Sequence, residues 1–156
     1  MQISEILTTD SVITPLSGST KENILRELIA ALPMNRSGIA DDDIYKAVME
    51  RESITSTGIG DGIAIPHAKF DIKEELVMSV GIADKDVDFA ALDNKPVRIF
   101  FMLLSRKDVA GLHIRMLAKI ARFLRHEKFK KELLVCKAPD EVINIFKNEE
   151  TAHFSK

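Results

Sequence analysis

The sequence has 156 residues, 46% of them hydrophobic and 29% charged, the make-up of one globular domain and not of a disordered, collagen-like or repeat chain. Its 22 Lys and Arg against 24 Asp and Glu, a formal charge of −2, lack the basic excess of a dedicated nucleic-acid binder. One cysteine, Cys136, excludes an internal disulfide and suits a reducing cytoplasm; Met1 to Leu16 carry no signal peptide, and the longest apolar run, Ile99 to Leu104, is far too short to span a bilayer. A chain of this length buries roughly two thirds of its unfolded surface and needs no disulfide or metal staple. The expectation is a single cytoplasmic domain over residues 1–156, with no membrane insertion and no nucleic-acid partner.

The first strong helix signal begins at Ser19, which has capping-box spacing to Glu22. Ile24, Leu25, Leu28, Ile29 and Leu32 follow at helical period, and Pro33 stops the helix. Asp41, Asp42 and Asp43 offer an N-cap and an acidic first turn for a second helix over Asp42 to Glu52, with Ile44, Ala47 and Val48 inward. Ser53 to Gly62, rich in glycine and hydroxyls, reads as a loop. Ile63 to Pro66 reads as extended, since proline blocks a helix there.

Leu76 to Ile82 and Val97 to Leu104 are strands, the second apolar enough to be buried on both faces. Asp84, Asp86 and Asp88 are placed in the loop between them, as a solvated stretch or as a steering surface for a basic protein. From Val109 to His126 one helical stripe holds Leu112, His113, Met116, Leu117, Ile120, Phe123 and Leu124. Arg115, Lys119 and Arg122 make a second, solvated stripe. Short helices over Glu127 to Leu134 and Pro139 to Phe146 complete the pattern, and the tail from Asn148 to Lys156 is expected to fray. Strands interleaved with helices give an α/β (α+β) fold, one mixed sheet flanked by helices.

The segment most informative for chemistry is Arg51 to Lys69. Gly58, Gly60 and Gly62 lack the spacing of a dinucleotide fingerprint, no Gly-Lys-Ser/Thr makes a phosphate loop, and no Gly-x-Ser-x-Gly elbow is present. What remains is His67, directly after Pro66 and beside a loop whose Ser56 and Thr57 offer hydroxyls and whose glycines let backbone N–H groups approach an anion. Arg51 and Lys69 add cations. A neutral imidazole among such donors suits transient phosphorylation on nitrogen; a structural histidine beside a loop is the alternative. His67, His113, His126 and His153 show no His-Glu-x-x-His spacing, and a lone cysteine makes no metal pair, so neither metal nor cofactor is expected.

Arg51-Glu-Ser-Ile-Thr-Ser-Thr-Gly-Ile-Gly-Asp-Gly-Ile-Ala-Ile-Pro-His67-Ala closely resembles the active-site signature of the EIIA domains of the bacterial phosphotransferase system, fructose/mannitol class, which includes the nitrogen-regulatory EIIA proteins. Ala91-Leu-Asp-Asn-Lys-Pro-Val97, the His113 to Ile120 stretch and Pro139-Asp-Glu-Val-Ile resemble later blocks of the same family. The resemblance implies a phosphohistidine carrier. His67 would accept phosphate on Nε2 from HPr or its nitrogen-branch counterpart NPr, with His113 as a second site histidine and Arg51 as a nearby arginine. Ser56, Thr57, Gly58 and Gly60 would form the phosphate environment. Onward partners would be an EIIB or regulatory target proteins, and the absence of a fused permease or EIIB segment leans toward the nitrogen-regulatory branch. The rival is a sugar-specific EIIA that passes phosphate to an EIIB cysteine. Read from periodicity alone, His113 is a core histidine; the resemblance turns it toward the site. Leu112 stands where the family often has an acidic residue, which leaves the ring of His113 without a neighbouring carboxylate to orient it.

Overall fold

The computed structural model describes residues 2–153. One mixed sheet of six strands is sandwiched between two helical layers. In chain order the elements are α1 (Ile3–Ile6), a single 3₁₀ turn (Thr9–Ser11), β1 (Val12–Ile13), α2 (Lys21–Ala30), α3 (Asp41–Ile54), β2 (Gly58–Gly60), β3 (Ile63–Ala64), β4 (His67–Lys69), β5 (Leu76–Val87), β6 (Val97–Ser105), α4 (Ala110–Phe123), α5 (Glu127–Leu134) and α6 (Pro139–His153). The strands lie in the order β1-β5-β6-β3-β2, and β4 also pairs with β6. No helix among the described residues is long and apolar enough to cross a membrane.

Strand β6 organises the sheet. It runs antiparallel to β5 along one edge and parallel to β3 and β4 along the other. Its side chains alternate between two cores. Ile99, Phe101 and Leu103 face the layer of α1, α4, α5 and α6, while Phe100, Met102 and Leu104 face α2 and α3. Phe101, Phe123, Phe129 and Phe146 pack edge-on or stacked at the centre of the first core. The apolar residues read from the α2 period, Ile24 through Leu32, are all buried in the second core. The buried hydroxyl of Ser79 on β5 donates to the Leu28 carbonyl at 2.8 Å and ties α2 to the sheet.

β3 and β4 are one extended segment interrupted at Pro66. Ile63 pairs with Ile99 and His67 with Leu103 on the same edge of β6. Between them the Pro66 carbonyl still accepts from Leu103 N–H at 2.9 Å. Pro66 faces β6 with no N–H to give, so the ladder loses one bond there but keeps its direction.

Several boundaries differ from expectation, each for a local reason. The cap of α2 is Thr20, whose side chain accepts from Asn23 N–H, one residue after the expected Ser19. Gly58–Gly60, expected as loop, is a strand in a hairpin with β3; Asp61 (φ 56°) and Gly62 (φ 80°) form its left-handed turn, the Asp-Gly pair that such hairpins favour. β5 runs past Ile82 to Val87, so Asp84 and Asp86 lie on an irregular strand and not in a loop. Arg98 on β6 holds that stretch through the Asp84 carbonyl and lies 3.9 Å from the Asp86 carboxylate.

The stretch expected to fray from Asn148 continues α6 to His153; residues 154–156 lie outside the described part. The reason is Glu150. Its buried carboxylate accepts from the N–H groups of Ile3 (2.8 Å) and Ser4 (2.9 Å) and pairs with Lys119 at 2.9 Å. Removing it strands two N–H groups at the start of α1 and takes the carboxylate from the Lys119 ion pair. Glu150→Ala is therefore expected to lower unfolding stability by about 3 kcal/mol, read by urea denaturation; a change within experimental error would show that the carboxylate is dispensable.

Candidate functional site

A cleft of about 490 Å³ opens between the end of α3, strand β4 and the first half of α4. It is lined by Arg51, Glu50 and Ile54 from α3, His67 and Lys69 from β4, and His113 and Leu117 from α4. The structure thus gathers the three principal candidates from widely separated parts of the sequence. The rings of His67 and His113 are 5.3 Å apart between centroids and tilted by 59°.

The break at Pro66 sets the chemistry of His67. Successive residues of an extended chain point their polar groups to opposite edges. Pro66 faces β6, so Ile65 faces away. Its N–H donates to the Thr57 carbonyl at 3.0 Å, and its carbonyl lies 2.8 Å from Nδ1 of His67. A carbonyl can only accept, so Nδ1 carries the ring proton and Nε2 of the neutral ring keeps its lone pair. Burial pushes the His67 pKa below the ordinary imidazole value; the Arg51 guanidinium adds to this, while the Ile65 carbonyl and Glu52 oppose it.

His113 is 4% exposed, and its Nδ1 lies 2.5 Å from the hydroxyl of Ser105 at the end of β6. Burial, then the nearby His67 and Lys69, push its pKa down to about 4. The missing carboxylate at Leu112 is thus answered by a hydroxyl on the sheet. Arg51 is held at the end of α3 by its own helix terminus, one guanidinium N–H donating to the Thr55 carbonyl at 2.9 Å. The remaining guanidinium donors are left for the cleft.

Ser56, Thr57, Gly58 and Gly60, expected as the phosphate environment, are not among the residues that line the cleft. Thr57 is buried, and both its N–H and its hydroxyl donate to the Glu52 carboxylate, which also pairs with Lys21 at 3.2 Å. Gly58 N–H is taken by the Ser56 hydroxyl at 3.1 Å. A Cβ on Gly58 would come within 2.8 Å of the Ala91 backbone, so this glycine serves a close chain crossing. Gly60 adopts a positive φ of 105° beside Asp93, where it shapes the hairpin. Through Thr57, Glu52 ties the end of α3 to the segment that leads into β2. Among the described residues no three His, Cys, Asp or Glu side chains gather to hold a metal ion.

The residue that sequence reasoning missed is Ser105. It closes an apolar run and pairs with Lys69 across the sheet, a long-range register that no local signal reports.

The family described as "Phosphoenolpyruvate-dependent sugar phosphotransferase system, EIIA 2" matches residues 5–149. The chain belongs to this family. It is 33% identical over 147 residues to the fructose-specific EIIABC component of Bacillus subtilis, covering 93% of this chain but 23% of that longer protein. It is 30% identical to a nitrogen regulatory protein of Bradyrhizobium diazoefficiens, covering 85% of this chain and 86% of that one. The crystal structure of nitrogen regulatory protein IIA-Ntr from Neisseria meningitidis superimposes with a TM-score of 0.85 at 26% identity, over 92% of this chain and 98% of that one. The fold expected from the resemblance, a mixed sheet flanked by helices, is the fold of this EIIA domain.

The depressed histidines tie stability to pH. A group whose pKa is lower folded than unfolded contributes stability above its unfolded value near 6.5 and loses it as pH falls toward its folded value. For His113 that window runs from 6.5 down to about 4. NMR titration should show the His113 ring uncharged until pH nears that lower value, and His67 titrating below the ordinary range. Over the window the protein should lose stability by up to about 1.4 kcal/mol per pH unit from His113. A His113 that titrates at the ordinary value would contradict the burial described here.

Proposed function

We propose that this EIIA chain is a phosphohistidine carrier that accepts a phosphoryl group on Nε2 of His67 and serves chiefly as a regulator. The observation that carries the assignment is the Ile65 carbonyl on Nδ1 of His67, which leaves Nε2 as the nucleophilic nitrogen. In the transfer, the Nε2 lone pair attacks the phosphorus of a phosphohistidine on a donor protein of the HPr or NPr type. The new N–P bond forms as the bond to the donor nitrogen breaks, and that nitrogen keeps the electron pair. The phosphorylated ring still holds its Nδ1 proton, and the positive charge it gains is met by the Ile65 carbonyl.

Such a step needs alignment and donors for the phosphoryl oxygens, and little covalent machinery. Arg51, Lys69 and His113 all line the cleft; the first two would supply cations and His113 a ring N–H. The donor is already activated, so the step calls for no nucleotide.

The regulatory reading is supported by the relatives named nitrogen regulatory protein, which match over most of both chains. On this reading the phosphorylation state of His67 decides which regulatory protein the chain binds. The fructose-specific relative, similar over one segment of a longer protein, favours a second reading in which His67 passes phosphate to a cysteine of an EIIB. Rapid transfer from the phosphorylated chain to a fructose- or mannitol-type EIIB would select it.

Incubation with phosphoenolpyruvate, Enzyme I and HPr or NPr should add one acid-labile phosphate per chain, and His67→Ala should abolish it. Undiminished labelling of that variant would overturn the assignment. His113→Ala and Arg51→Ala should still fold and accept phosphate, with exchange slowed by about one to two orders of magnitude for each lost charge-assisted hydrogen bond. Exchange rates and thermal melting are measured together. Normal exchange with a large fall in melting temperature for His113→Ala would mark that histidine as a core residue.

A further inference from the structure

Ser105 is fully buried at the end of β6. Its backbone is locked from both sides: it pairs with Lys69 of β4 and Leu76 of β5, and its carbonyl accepts from Phe70 N–H at 2.9 Å. Its hydroxyl therefore has a fixed place in the sheet that also carries His67. From that place it meets Nδ1 of His113 at 2.5 Å.

The contact can be used in two ways. If Nδ1 carried the proton it would donate to the hydroxyl oxygen, and the hydroxyl's own proton would need a further acceptor. Among the described residues His113 is the only side-chain or backbone partner of that hydroxyl. A buried donor left without an acceptor is costly, whereas a hydroxyl that donates to Nδ1 satisfies both groups at once. The second arrangement puts the ring proton on Nε2.

We propose that Ser105 is a positioning residue that holds His113 as its Nε2–H tautomer, so that the two histidines of the cleft have opposite polarity. His67 offers a lone pair at Nε2 because a carbonyl holds its Nδ1 proton. His113 offers an N–H at Nε2 because a hydroxyl fills its Nδ1 lone pair. One ring is thereby fitted to bond phosphorus and the other to donate to an anionic oxygen. In the other tautomer His113 would turn a lone pair toward that oxygen and repel it. The tautomer itself stands on the geometry alone; its use in transfer rests on the phosphocarrier reading above.

The experiment uses the full chain labelled with ¹⁵N and long-range ¹H–¹⁵N correlation of the histidine rings at neutral pH, before any phosphorylation. Wild type should show His113 protonated on Nε2 and His67 on Nδ1. Ser105→Ala should turn His113 into a mixture containing the Nδ1–H form and leave His67 unchanged. Ser105→Thr, which restores a hydroxyl, should return the single tautomer. With preformed phospho-HPr or phospho-NPr as donor, exchange should fall about tenfold in Ser105→Ala, the worth of one hydrogen bond, and recover in Ser105→Thr. If the added methyl keeps Ser105→Thr from folding, wild type and Ser105→Ala still decide the tautomer.

A wild-type His113 protonated on Nδ1, or a Ser105→Ala protein with the wild-type tautomer, overturns the proposal. An altered tautomer with unchanged exchange overturns its catalytic half. A wild type that takes no phosphate defeats the phosphocarrier reading, while the tautomer comparison still judges Ser105.

Discussion

Strand β6 is hydrogen-bonded along both edges and buried on both faces, and the rest of the molecule is arranged around it. A strand in that position has no freedom to slip, because a one-residue shift would exchange Phe101 and Leu103 for Phe100 and Met102 in each core. That rigidity passes to the cleft by two routes. Leu103 pairs with His67 through the β4 register, and Ser105 reaches His113 through its hydroxyl. Both imidazoles are thus referenced to neighbouring positions of one strand, although one sits on β4 and the other on a helix.

The two rings show how little is needed to give identical side chains different chemistry. Neither has a carboxylate bound to its Nδ1. A carbonyl forces a proton onto one ring, and a hydroxyl takes up a lone pair on the other. Both rings are kept neutral by burial, and the cationic groups around them press in the same direction. The cations that would attract an anionic phosphoryl group, Arg51 and Lys69, add to the burial that lowers the pKa of the two histidines. On the proposed phosphocarrier reading, attraction for the anion and availability of a ring lone pair therefore do not compete.

Much of this was legible in the sequence where the information is local. The period of Ile24 to Leu32, the apolar run of β6 and the stripe of α4 each mark an element whose burial pattern repeats along the chain. His67 stood out because Pro66 and the glycines around it are themselves local signals. What could not be read there is set by distant contacts. The glycine and hydroxyl segment reads as a phosphate cradle, but Glu52 claims Thr57 from inside, and Ala91 presses on Gly58 from a loop far along the chain. The Asp61-Gly62 pair was a readable hairpin signal, masked by the surrounding glycines. Ser105 and Glu150 each matter through partners fixed only by the folded topology. In Glu150's case they include Ile3, 147 positions away in sequence.

The Glu150 contact has a geometric corollary. With Ile3 N–H 2.8 Å from the carboxylate of Glu150, α1 and α6 are stitched together in the interior. A fold whose first and last helices adjoin in this way can be spliced into a host loop without stretching its sheet. A linker attached at either end would pull on the same stitch between α1 and α6. Tension from a neighbouring segment would thus be borne there first, before it reached β6 and the paired imidazoles.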